Sequence, residues 1–394
     1  MRHSTIEFTR RQLFAVSGFG LSAMMARDAS AAAPALPVSI AKCPSYSGDL
    51  AATLAKQFDQ IGGIGALVRG KTVAIKLNLT GGGRLGSYTA GQTHWVHPQL
   101  VGVCCSLLGR AGARRVRLLE GAPRGDTLED KLLDGGWDVA ALRSAAPLVE
   151  FENTNYGNRK RYARLKTARP YVYPAFDLNH SYEDADVFIS LSKLKQHEEC
   201  GLTLTIKNSF GITPNSVYGD DAGADEPNEK ARAGRETMLH AGKRQPPASA
   251  PQEVDFSSDR FEGYRVPRIA VDLIAARPVD LAIIDGIESS VGGEGPWVKG
   301  FQYAQPRVLI VSRNPVCTDA VATAVMGYDP RAKRGEAPFR RLTPVERPGA
   351  PDWAENPMLL AEAVGLGSAD LARIDVRGAT IAESRFDFEA RRNR

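Results

Sequence analysis

The chain holds little that would announce a reaction. Its 394 residues include six histidines and five cysteines, and no two cysteines stand in a Cys-x-x-Cys. That absence argues against a ferredoxin-type cluster or a zinc ribbon. No H-E-x-x-H frame and no G-x-S-x-G occurs, so the signatures of a zinc protease and of a hydrolase nucleophile elbow are missing. No apolar run reaches the roughly 20 residues a helix needs to cross a bilayer. The net charge is only +5, and residues 1–31 carry four Arg against one Glu and one Asp, leaving +3 for the rest. No basic run is interleaved with aromatics, so nucleic acid is not an expected partner.

What is present begins near the start. Thr9-Arg10-Arg11-Gln12-Leu13-Phe14 opens a short apolar run from Leu13 to Ala26, which ends in Ala29-Ser30-Ala31. This order is that of a twin-arginine export signal with an Ala-x-Ala-type cleavage site. The expectation is a signal peptide over 1–31, read by the twin-arginine translocation machinery. The mature chain is then periplasmic or otherwise extracytoplasmic, with no stable membrane span after cleavage. Cys43, Cys104, Cys105, Cys200 and Cys317 are odd in number, so in an oxidising compartment at least one stays free or pairs between chains. Cys104 would share a helix face with Leu107 and Leu108, the place of a small buried apolar side chain.

Short apolar runs alternate with helical patterns. Strands are expected at Thr72–Leu77, Arg115–Glu120, Asp186–Leu191, Leu202–Ile206, Leu281–Asp285 and Val308–Ser312. Helices are expected at Asp49–Gln60, His97–Gly112, Pro267–Ala276, Cys317–Met326 and Pro357–Val364. The alternation predicts an α/β fold over 36–394: a mostly parallel sheet with helices on both faces, as one domain or two intimately packed subdomains. Residues 213–263 break the pattern. They are polar, rich in Pro and Gly, and too long for an ordinary connection, so they read as a surface insertion or a lid. Pro330–Trp353 is a second polar excursion.

Gly65-Ala-Leu-Val-Arg-Gly70-Lys71-Thr72 matches G-x-x-x-x-G-K-[ST]. A phosphate loop needs a strand before it and a helix after it. Here the expected order is reversed, and Gly70-Lys71 reads as a turn. The stronger signals follow the strands. Lys76 and Asn78 end the first, and Thr80-Gly81-Gly82-Gly83 comes next. Lys193, Lys195 and His197 alternate after another, Lys207-Asn208 closes a third, and Asp285-Gly286 a fourth. In parallel sheets ligands bind beyond the carboxyl ends of strands. Several lysines with amides suit a carboxylate or a phosphate, and crowding lowers a lysine's pKa toward a useful base. The ligand-binding candidates are therefore Lys76, Asn78, Lys193, Lys207, Asn208 and Asp285, with Lys195 and His197 as acid–base groups. His94, His97 and His240 form no metal-ligand spacing, and the residues name no cofactor.

The same residues carry a family resemblance. Val-Ala-Ile-Lys76-Leu-Asn78, Thr93-His94, Leu-Ser-Lys193-Leu-Lys195-Gln-His197 and Ile-Lys207-Asn208-Ser-Phe-Gly211 resemble the domain-of-unknown-function family 362. His240, Asp272, Asp285-Gly286 with the loop Gly292–Pro296, and Asp319-Ala-Val-Ala are similar to it too. The resemblance runs from about residue 70 to 378 and implies an architecture and site positions, not an agreed reaction. Members often carry an added ferredoxin-like iron–sulfur domain, which this sequence does not match. The general layout is faintly similar to the lactate racemase family, from which no cofactor is carried over. The expected function is binding of a small anionic ligand, either by an enzyme using Lys/His acid–base chemistry or by a periplasmic binding or accessory protein without turnover. A redox-associated accessory lacking its own cluster is the third reading.

Overall fold

A sheet buried on both faces organises the chain. In the computed structural model, residues 32–85, 87–122, 126–156, 159–343 and 351–392 are described. The expected signal peptide, residues 1–31, lies outside them. Eight strands form the main sheet: β1 (Val38–Lys42), β2 (Thr72–Lys76), β3 (Arg115–Glu120), β4 (Val149–Asn153), β5 (Val187–Lys193), β6 (Leu281–Gly286), β7 (Val308–Ser312) and β8 (Val376–Gly378). Their order is β8-β1-β7-β6-β5-β2-β3-β4. Strand β7 runs antiparallel to both of its neighbours, and every other pairing is parallel. The structure is thus α/β and mostly parallel.

Alternation along each strand feeds two cores. Val73 and Ile75 of β2 pack on one side with Leu118, Ile189, Ile283 and Val311. That side is covered by α1 (Leu50–Gln60) and α2 (Pro98–Arg110), whose apolar stripes include Leu54, Phe58, Leu100, Val101 and Cys104. Ala74, Phe188, Ala282 and Ile310 face the other core. There α3 (Leu204–Asn208), α4 (Glu262–Ala276), α5 (Pro315–Val325) and α6 (Pro357–Ala363) close it. All five cysteines are buried and free. No helix among the described residues is long and apolar enough to cross a membrane.

Two expected elements differ. The apolar run Leu202–Ile206 is not a strand: its second half is helix α3. The buried carboxylate of Asp319 accepts from the amides of Thr205 (2.9 Å) and Ile206 (2.8 Å), stabilising a helix start where the run alone reads as extended. Leu204 enters the helix at φ 40°, a strained setting for a branched side chain. Helix α4 begins at Glu262, not Pro267, so Pro267 sits inside it and removes one backbone donor. The sequence Gly65–Thr72 makes a one-turn helix, then a turn with Gly70 at φ 71°, then β2. No strand-to-helix phosphate loop exists there.

Residues 213–263 are ordered and packed. Their anchor is Glu253, which is fully buried with Arg265 of α4 at 2.7 Å and also meets Arg260. A second anchor is Asp220, which accepts from the amides of Thr237 (2.9 Å) and Met238 (2.8 Å) at the start of a π-helical turn, Glu236–His240. Such turns are rare and often mark working sites.

Candidate functional site

The site is a cleft of about 640 Å³ past the carboxyl ends of β2, β3 and β4. Lys76 is the last residue of β2 and Glu120 the last of β3. Their side chains pair at 2.6 Å on the cleft floor, both nearly buried. Glu120 also accepts from the amides of Leu79 (2.9 Å) and Gly121 (2.8 Å), so its charge is fully engaged. Burial lowers the pKa of Lys76, Glu120 opposes that, and Arg235 and Lys207 add to the lowering. Gly211 comes so close that a Cβ there would stand 2.9 Å from Lys76 Nζ, so a larger residue would push the lysine end aside.

Helix α3 and the insertion supply the opposite wall. Asn208 donates to Ser190 Oγ at 3.0 Å and accepts from Asn78 at 3.0 Å, which locks the two amides together at the floor. Lys207 rests over the Phe210 ring at 4.6 Å and has no carboxylate or carbonyl partner among the described residues. Arg235 reaches in from the start of the π-helical turn. It donates to Asn155 at 2.9 Å, while its buried Nε has no partner. Burial holds its pKa below the usual guanidinium value. Lys131 is pushed down to about 8, chiefly by burial; it donates to the Gly121 carbonyl at 3.4 Å and lies over the Trp95 ring at 5.4 Å.

Four cations and five carboxylates line the cleft. The carboxylates are mostly taken. Glu120 holds Lys76, Glu199 lies 2.6 Å from His240 Nδ1, Glu198 meets Arg341 at 3.5 Å, and Glu294 accepts from Trp297 and from the Glu198 amide. Glu236 is on the exposed rim. Among the described residues Lys131, Lys207 and Arg235 make no ion pair with a carboxylate. With four cations and five carboxylates the cleft is mixed in charge, and these three cations are its unpaired positive groups.

Of the residues singled out from sequence, Lys76, Asn78, His197, Lys207 and Asn208 line this cleft. Lys193, Lys195 and Asp285 do not. Lys193 ends β5 and is fully buried, 3.1 Å from Asp285; it also donates to Tyr46 and to the Gly91 carbonyl. Asp285 further accepts from Tyr46 OH (2.7 Å) and the His97 amide (3.0 Å). The pair, expected to bind ligand, lies in a buried hydrogen-bonded network away from this cleft. Lys195 is also fully buried, donating to the carbonyls of His94 (2.7 Å) and Glu294 (3.1 Å). Burial first, with Lys193 and Lys207, brings it down to about 7, against Glu294. Expected as an acid–base group, it joins two loops behind the cleft wall and is not among the cleft's lining residues. The alternation failed because β5 stops at Lys193, and His197 belongs instead to a short hairpin with Gly201 opposite it.

His94 is structural as well: Thr93 and the Gly82 carbonyl occupy its two nitrogens, and burial with Lys195 holds it down to about 3. Sequence reasoning missed Lys131, Asn155 and Arg235. Lys131 lies on a helix, and Arg235 lies in the insertion, where no periodicity marks it. Among the described residues no three His, Cys, Asp or Glu side chains are grouped to hold a metal ion.

Glu199 gives a pH prediction. Burial raises its pKa, but His240 and hydrogen bonding outweigh that and bring it to about 2. The unfolded value is near 4.3. A depressed carboxyl contributes stability that is full above the unfolded value and fades as pH falls toward the folded one. Urea unfolding between pH 5 and 2 is expected to show a steeper acid loss for the native sequence than for Glu199→Gln. Equal slopes would remove the pairing from the account.

The model of a family described as "Domain of unknown function (DUF362)" matches residues 73–324, which include the cleft residues from Lys76 to His240. The thylakoid-associated protein sll1697 of Synechocystis sp. is 25% identical over 299 residues, 74% of this chain and 75% of that protein. A crystal structure of a Thermotoga maritima protein is similar at 13% identity with a TM-score of 0.36, covering 64% of this chain and 52% of that one. The chain thus spans about half the length of that solved structure.

Proposed function

The chain belongs to the DUF362 family, and on that premise we propose that its cleft binds a small anionic ligand bearing a carboxylate or phosphate. One observation carries this reading. Lys131, Lys207 and Arg235 enter one cleft and, among the described residues, form no ion pair with a carboxylate, beside the amides of Asn78, Asn155 and Asn208. All three are half-buried, and a partly desolvated cation without a close counter-charge gains when an anion arrives. Lys76 shapes the floor from its pair with Glu120, and Lys207 and Arg235 make the direct contacts. His197 supplies acid–base capacity at the same wall.

The test is thermal denaturation across sulfate, phosphate, acetate, malonate and citrate at fixed ionic strength. A ligand that binds only the folded state raises the midpoint with concentration. Saturable stabilisation by at least one polyvalent anion is expected, above that given by chloride. A response that merely follows ionic strength would sink the reading. Lys195, which donates to the carbonyls of His94 and Glu294 behind the wall, takes no direct part in this reading. We further propose that the protein works outside the cytoplasm, on the strength of Arg10-Arg11 and the apolar run after them. Arg10→Lys with Arg11→Lys is expected to retain the chain in the cytoplasm, since the paired guanidinium groups are what the translocation machinery reads. Unchanged recovery of a shortened form from the periplasmic fraction would contradict this.

A further inference from the structure

Two histidines line the cleft and are held in opposite ways. His197 Nδ1 accepts from the Glu199 amide at 3.2 Å. A ring nitrogen that accepts is bare, so in the neutral ring the proton sits on Nε2. Burial, helped by Lys207, keeps His197 well below its ordinary pKa and therefore neutral. His240 is arranged the other way. Its Nδ1 lies 2.6 Å from Glu199 Oε2. The pair lies at an angle outside hydrogen-bond geometry. A bare nitrogen lone pair this near a carboxylate is nevertheless repelled and an N–H is attracted, which assigns the proton to Nδ1 and leaves Nε2 to exchange one. His240 is further fixed by the edge of Phe210 at 5.1 Å. Neither Nε2 has a partner among the described residues. One residue, Glu199, thus sets both rings: its backbone amide faces one and its carboxylate the other.

We propose that His240 and His197 form a complementary pair, His240 Nε2 as base and His197 Nε2–H as donor to a developing oxyanion, acting on a small carbonyl acid. This rests on the anion-binding reading, in which Lys207 and Arg235 hold the ligand's carboxylate. His240 Nε2 takes a proton from the carbon next to the ligand's carbonyl. The C–H electron pair becomes the new C=C bond, and the carbonyl π pair moves onto oxygen. The enolate oxygen accepts from His197 Nε2–H, a neutral donor that is not required to give its proton up. Return of the proton from His240 to carbon restores both histidines. The cycle needs no oxidant, reductant or second substrate. It assigns the anion a class: a 2-oxo acid or an isomer that enolises to the same species.

Two measurements test this. Nitrogen-15 NMR of the histidine rings of the native protein at pH 7 is expected to show His240 protonated at Nδ1 and His197 at Nε2. Identical tautomers in the two rings would overturn the pairing, and this needs no variant that could misfold. Proton NMR of pyruvate and of 2-oxoglutarate in D2O is expected to show loss of the protons next to the carbonyl, faster with protein than in buffer. His240→Gln is expected to cut that rate by about 100-fold while keeping anion-induced thermal stabilisation. Stabilisation by these anions with no exchange, or exchange unchanged in the variant, would overturn the inference and leave anion binding standing. No stabilisation by any anion would remove both.

Discussion

Asp285→Ala is expected to lower the free energy of unfolding by about 3–5 kcal/mol, the usual result of removing one partner from a buried ion pair. The side chains of Lys193 and Asp285 are both fully excluded from solvent. With Asp285 gone, the Lys193 ammonium keeps only neutral acceptors, Tyr46 OH and the Gly91 carbonyl. Tyr46 loses the acceptor of its hydroxyl, and the His97 amide at the start of α2 loses its partner. Three segments far apart in sequence are thereby released at once. Lys193→Met combined with Asp285→Leu is expected to cost less than the sum of the single changes, because the charge and its counter-charge leave together. Urea denaturation of the four proteins measures this directly. A loss below about 1 kcal/mol for Asp285→Ala would mean that water reaches the pair and that the network is not sealed.

Lys207→Met is expected to act in the opposite manner. It should weaken the stabilising anion by roughly 10–100-fold, the scale of one hydrogen bond to a charged group at about 1.5–3 kcal/mol. Stability without ligand should change by no more than about 0.5 kcal/mol, since Lys207 makes no ion pair or hydrogen bond to lose among the described residues. Methionine keeps the stem against Phe210. Isothermal titration with the best anion from the thermal survey gives the affinity, and urea unfolding gives the stability. An unchanged affinity would place the anion elsewhere, and a large stability loss would make Lys207 structural.

These two residues show where the sequence was legible. Strands β2, β3, β6 and β7 were readable because each is a short, mostly apolar run bounded by glycine or polar residues. Strand β4 was not, because as the sheet's edge strand it carries Glu150, Glu152 and Asn153. The run Leu202–Ile206 alternates like a strand, yet Asp319, more than 100 residues on, holds the amides that start a helix there. The same gap separates the site as read from the site as built. Local spacing put Lys76, Asn78, His197, Lys207 and Asn208 near strand ends, and they do meet at one cleft. It could not tell that Lys193 would find Tyr46 and Asp285, or that Lys195 would find two carbonyls, because those partners are fixed only by tertiary contact. Nor could a stretch without periodicity reveal that Asp220 and Glu253 would fold it into the wall that delivers Arg235 and His240.

The central claim is an anion held between Lys207, Arg235 and Lys131. Soaking crystals with selenate and measuring anomalous scattering at the selenium edge tests it most directly, since the oxyanion reports its own position. The account predicts a strong peak inside the cleft, within hydrogen-bond reach of Lys207 Nζ and the Arg235 guanidinium, that disappears in Lys207→Met crystals. Anomalous peaks confined to surface arginines, with the cleft empty at saturating selenate, would contradict it.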